Sequence, residues 1–222
     1  MADRVGDTDC IRSRCHRRPD SPLLFVPTKQ PTVNRSPTVD TLAVFVVVFA
    51  LQTATALVGF SSALSLFVLQ PPVTDAPGTV LTSVYAHGSL GHLLSNSIAL
   101  VLAGLVVERR TTWLRFHLFF LVVGALAGVS QVVLTGLFGT PTGVLGASGA
   151  VFGLFGYLLA GNRVTATVFS RIRLSPRAQL VVFVLAAAVV TAATGQPGVA
   201  LVAHFVGLLL GLLAGATRLL DV

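Results

Sequence analysis

Ser148, His204, His92, Asn96 and His87 stand out as the polar side chains within long apolar stretches of this chain. Their types suit one reaction. A serine becomes a nucleophile when a base lies beside it, and histidine is the usual base. Acyl transfer also builds negative charge on the attacked carbonyl oxygen, which an asparagine and a second histidine can stabilise as hydrogen-bond donors. Ser148 sits in GVLGASGAVFGLFGY (143–157), a hydroxyl set among glycines where an apolar helix would begin. His92 and Asn96 are four residues apart and share a face of a helix. His87 lies about 140° from His92 on the same continuous helix, which gives it a structural part rather than a chemical one.

These side chains need elements to hold them, and the composition says which. Of 222 residues, 54% are hydrophobic and 10% charged, with a mean hydropathy of +0.85. Soluble domains carry about 25% charged residues, so the fold class expected is an all-α polytopic membrane protein. Residues 1–39 are rich in Pro, Thr, Asp and Arg and read as a disordered basic cytoplasmic tail. They contain no apolar core of signal-peptide length. The remainder, residues 40–222, forms one domain with six apolar segments near 41–69, 84–107, 113–137, 147–162, 178–195 and 198–218. A bilayer core needs about 20 apolar residues per helical span, and lipid leaves no alternative to helices for such segments.

Charge sets the orientation. The fifteen Lys and Arg residues fall in the N-terminal tail, at Arg109, Arg110 and Arg115, between Arg163 and Arg177, and at Arg218. Those groups alternate with connections that carry no basic residue, so six spans put every one of them on the same side, N-terminus in and C-terminus in. A net charge of +7 therefore reflects membrane topology and not nucleic-acid binding. Cys10, Cys15 and His16 are too few for a four-ligand zinc site, and no metal or cofactor is expected.

Counting from the basic ends at 1.5 Å per residue gives depths. Ser148 lies fifteen residues before Arg163, about 22 Å up; His204 lies fourteen before Arg218, about 21 Å up. Asn96 comes to about 20 Å and His92 to about 25 Å. Three helices thus bring Ser, His, His and Asn to one layer. No carboxylate reaches it, since Glu108 is at the inner end and Asp75 in an outer connection, so a dyad is expected instead of a triad. Gly149, Gly153 and Gly156 on the fourth span, and Gly207, Gly211 and Gly215 on the sixth, recur at helical spacing and would let those two helices touch. Gly143 and Gly146 would let the preceding loop bend inward, so that Ser148 heads a short helix within a water-accessible cavity.

These residues resemble the rhomboid family of intramembrane serine proteases. GASG (146–149) fits G-x-S-G, HGSLGHLLSN (87–96) fits H-x4-H-x3-N, and AHFVGLLLG (203–211) fits A-H-x2-G-x3-G. Glu108 fits a glutamate recurring at the inner end of the second span. The resemblance covers about residues 41–220. It implies a six-helix rhomboid bundle and a cofactor-free dyad with Ser148 as nucleophile and His204 as base. It also implies an oxyanion site of His92, Asn96 and the Ser148 backbone N–H, with Phe152 packed on the catalytic histidine where many members have Tyr. The substrates implied are single-span membrane proteins cut in or near the outer part of their helix. The first outer connection lacks the Trp-Arg pair of many bacterial members.

The alternative is a rhomboid-like pseudoprotease that binds membrane helices without cutting them, although both Ser148 and His204 are present. A solute channel lined by the histidines lacks intramembrane carboxylates, and a zinc protease lacks H-E-x-x-H. The expected setting is a multi-pass protein of a prokaryotic plasma membrane, with membrane lipid and single-span substrates as partners. The sequence leaves oligomeric state open.

Overall fold

A serine followed by a proline opens the first helix. In the computed structural model, α1 spans Pro37–Leu57; the Val39 N–H donates to Ser36 Oγ at 3.3 Å, and Pro at the first helical position has no N–H to leave unpaired. The structure describes residues 35–57, 65–139, 141–162, 165, 167, 171–172, 174–195 and 198–222. The expected tail lies outside them as far as residue 34, with Cys10 and Cys15.

A one-turn helix α2 (Thr79–Thr82) is followed by α3 (Leu90–Val107), a 3-10 turn (Glu108–Arg110) and α4 (Trp113–Phe138). Then come α5 (Ser148–Gly161), α6 (Pro176–Ala193) and α7 (Leu201–Ala216). Side-chain caps start three of them: the N–H groups of His92, Arg115 and Ala178 donate to Ser89, Thr112 and Ser175, each satisfying an amide that a helix start leaves free. The chain is a helical membrane bundle. α1, α3 with its 3-10 turn, α4 and α6 are long and apolar enough to cross a membrane, whereas α5 and α7 are shorter apolar helices.

Two expected boundaries are corrected. The first span does not run to 69: residues 65–70 are not α-helical, and Leu69 is in an isolated antiparallel bridge with Val144. Leu69 is fully buried there, so its apolar character serves a packed loop and not a span. The second helix starts at Leu90 instead of 84, because Ser89 caps it. Val84, Ala86 and His87 are buried without being helical. Hydropathy alone cannot separate such a stretch from a helix.

One end of the bundle is fastened by polar contacts. Glu108 accepts from Ser36 Oγ at 2.7 Å and from the Thr38 N–H at 3.2 Å, placing a carboxylate at the positive N-terminus of α1. The Val222 N–H donates to the Arg110 carbonyl at 3.2 Å, Arg115 Nη1 to the Asp221 carbonyl at 2.8 Å, and Tyr157 Oη to Asp221 Oδ1 at 2.5 Å.

α5 and α7 occupy the centre. α5 packs on α3, α4 and α7; α7 packs on α4, α5 and α6. A methyl group on Gly207 would strike the Gly149 carbonyl, and one on Gly211 the Gly153 carbonyl. These pairs share an offset of 58 (207 − 149 and 211 − 153), so the two helices run parallel with backbones in direct contact. This is the close approach that the glycine spacing predicts.

Candidate active site

Parallel register fixes where Ser148 and His204 lie along their helices. Ser148 comes one residue before Gly149 of the seam and His204 three residues before Gly207, so both lie at the same end of the α5–α7 contact. Ser148 is the first residue of α5 and His204 lies in the first turn of α7, its N–H bonded to the Ala200 carbonyl at 3.1 Å. Both line one cavity of about 820 Å³, together with His92, Asn96, Phe152 and Gln131. The layer expected from depth counting is thus one physical space, opened at the helix starts.

α5 begins without a side-chain cap, its N-cap being Ala147. The first-turn N–H groups, including that of Ser148, are therefore the free donors that every helix start exposes, at the positive end of the macrodipole. A negative oxygen placed there is stabilised.

Gly146 sets the approach to Ser148. Its φ is +127°, a region that side chains rarely adopt. A Cβ there would stand 2.6 Å from His92 Cε1 and 2.8 Å from His92 Nε2. The missing side chain lets the His92 ring lie against the backbone two residues before the serine. The Gly146 N–H donates to the Ser83 carbonyl at 2.8 Å, which fixes the bend.

The ring of His204 stacks on Phe152, centroids 4.2 Å apart and planes 22° apart. Phe152 is one turn below Ser148 on the same helix, so a single element carries the serine and the ring that orients the histidine. His204 is 8% exposed, and its Nδ1 has no hydrogen-bond partner among the described residues. Asn96 is 5% exposed, and its Nδ2 donors are likewise unpaired. Buried polar atoms are almost always bonded, and unpaired ones beside a cavity are available to a group that enters it.

His87 departs from its expected position. Because α3 starts at Leu90, the helical angle of 140° does not apply. Its ring meets that of His92 edge-on, centroids 5.2 Å apart, and that of Phe45 at 4.8 Å. Its N–H donates to Gln52 Oε1 at 3.0 Å, and its Nδ1 lies 3.1 Å from the Tyr85 carbonyl. α1 thereby supports the loop behind His92. Glu108 is at the fastened end of the bundle and does not enter the cavity. Gly149, Gly207 and Gly211 form the α5–α7 seam.

Two glutamines were not singled out from sequence. Gln131 of α4 lines the cavity, and its Oε1 accepts the Ala203 N–H at 3.1 Å, satisfying a first-turn amide of α7 next to His204. Gln52 supports His87 as described. Both interrupt apolar helices, the same signal that marked Asn96, but neither belongs to a recognisable spacing.

The rhomboid domain family matches residues 77–220. RHOMBOID-like protein 4 of Arabidopsis thaliana is 33% identical over 146 residues, 66% of this chain and 35% of that protein. RHOMBOID-like protein 6, mitochondrial, of the same plant is 28% identical over 142 residues, 64% of this chain and 44% of that protein. Rhomboid protease GluP of Bacillus subtilis (strain 168) is 36% identical over 80 residues, 36% of this chain and 15% of that protein. The chain thus spans less than half the length of these relatives. It is a multi-pass integral membrane protein, and it belongs to the rhomboid family.

Proposed function

We propose that this protein is an intramembrane serine endopeptidase that cuts single-span membrane proteins in or near the outer part of their transmembrane helix. The observation that carries the reading is the convergence of Ser148, His204, His92 and Asn96 on one cavity, with the helices of the first two in backbone contact. Membership in a family that includes a relative named as a protease supports it.

In this reading His204 Nε2 accepts the Ser148 hydroxyl proton as Oγ attacks the scissile carbonyl. The oxyanion takes hydrogen bonds from Asn96 Nδ2, the His92 ring and the Ser148 N–H. His204 then passes its proton to the leaving amine, and a water activated by the same ring hydrolyses the acyl-enzyme. Phe152 holds the imidazole plane, in place of the carboxylate that orients the histidine in a triad. We place both described ends of the bundle on the cytoplasmic side of a prokaryotic plasma membrane, on the clustering of Arg109, Arg110, Arg115 and Arg218 at basic ends.

The test is cleavage of a generic single-span substrate in proteoliposomes, wild type beside Ser148→Ala, with a fluorophosphonate probe on both. Cleavage and labelling that vanish in Ser148→Ala are expected. A folded wild type that neither cuts nor labels would make the protein a helix-binding pseudoprotease.

A further inference from the structure

A second concavity, sharing no residue with the cavity of Ser148 and His204, lies between α4 and α7. It has a volume of about 490 Å³ and is almost wholly apolar. Leu118, Val122 and Leu126 of α4 form one wall, at four-residue spacing on one stripe of the helix; Leu210 and Ala214 of α7 and Leu219 of the C-terminal turn form the other. Leu118, Val122 and Leu126 are about half exposed and Leu219 61% exposed. The buried Phe119 and Val123 form the floor. Arg115 closes one end.

Two features identify the occupant. From Arg115 to Leu126 is eleven residues, about 16 Å of helix, which is half of a ~30 Å hydrocarbon core. The groove therefore runs the depth of one leaflet, starting from a cation. The charged side chains at that end are also mostly basic, Arg109, Arg110, Arg115 and Arg218 against Glu108 and Asp221. Arg115 gives one of its five N–H donors to the Asp221 carbonyl and has no carboxylate within ion-pair distance among the described residues. Arg110 and Arg218 belong to the turns that pack there, and Arg109 precedes Arg110. Those two carboxylates accept from neutral groups, Asp221 from Tyr157 and Glu108 from Ser36 and Thr38, and neither ion-pairs with Arg115 among the described residues.

We propose that this groove holds an acyl chain of an anionic phospholipid whose phosphate binds Arg115. Basic pockets between transmembrane helices suit such headgroups, and the cytoplasmic leaflet supplies them. The site is independent of the catalytic reading. Its lipid would bridge α4, α7 and the C-terminal turn.

The experiment is thermal unfolding of the full chain in detergent during titration with phosphatidylglycerol, phosphatidylcholine of the same chains, or inorganic phosphate. Phosphatidylglycerol should raise Tm by about 5 °C or more at saturation, and the other two by much less. Arg115→Gln should remove the preference and Arg115→Lys keep it. Val122→Trp, at a half-exposed position, should fill the groove and remove the response, whereas Leu102→Trp on the exposed face of α3 should not. Equal shifts from both lipids, or a phosphatidylglycerol preference that survives both Arg115→Gln and Val122→Trp, would overturn the proposal. An equal shift from inorganic phosphate would also overturn it, as a simple anion site.

Discussion

α5 and α6 are both apolar helices of the same bundle, yet they are held in opposite ways. α5 buries eight of its fourteen residues, among them Gly149, Gly153 and Gly156. α6 buries three of eighteen, Phe183, Ala187 and Thr191, a single stripe at four-residue steps that faces α7. The shorter helix is the embedded one. Hydrophobicity does not distinguish them, because lipid is as welcoming to a leucine as a protein core is. What distinguishes them is glycine: Gly149, Gly153 and Gly156 bring backbone into contact along α5, while α6 contains none and packs Phe183 and Ala187 against Leu208 and Leu212. Backbone contact is thus concentrated on the two helices that carry Ser148 and His204.

That contrast can be broken or sharpened by substitution. The largest effect should come from Ser148→Ala or His204→Ala, each lowering cleavage by about 10⁴-fold or more, over 5 kcal/mol in transition-state stabilisation. Ser148→Ala should leave the thermal transition nearly unmoved, separating chemistry from packing within one seam. Next is Gly211→Val, whose added methyls meet the Gly153 carbonyl; about 3 kcal/mol of stability or more should go, and cleavage with it. Normal melting in this variant would refute the backbone contact. Asn96→Ala should cost about 10²-fold in kcat, near 2.7 kcal/mol, and full retained activity would remove Asn96 from the oxyanion site. Gln131→Leu leaves the Ala203 N–H without its acceptor, which should cost about 1–3 kcal/mol in unfolding measurements. Smallest is Leu185→Ala, 59% exposed on α6, with a shift within about 0.5 kcal/mol. A larger shift would mean that α6 is held by more than its one buried stripe.

Much of the architecture was legible because membrane helices obey few rules. Six apolar segments correspond to the six long helices among the described residues, with the third, fourth, fifth and sixth starting within three residues of their expected positions. The first two segments failed at ends where buried loops are as apolar as helices. Leu69 and Val84 are buried in irregular backbone, and no periodicity over so few residues reveals that. Ser89 caps α3, yet the apolar residues that precede it continue the hydropathy of the span and hide the helix start.

The candidate site divides in the same way. Sequence by itself determined the membrane class, that Ser148, His204, His92 and Asn96 come to one level, and the glycine seam, since each follows from one-dimensional quantities: hydropathy, rise per residue and residue size. Only the tertiary structure decided that Gly146 turns at a φ of +127° to receive the His92 ring. It alone placed His87 behind His92 rather than away from it and brought Gln131 to the start of α7. Those are contacts between segments far apart in the chain. Their partners are chosen by how helices and loops pack in three dimensions, which no local pattern encodes.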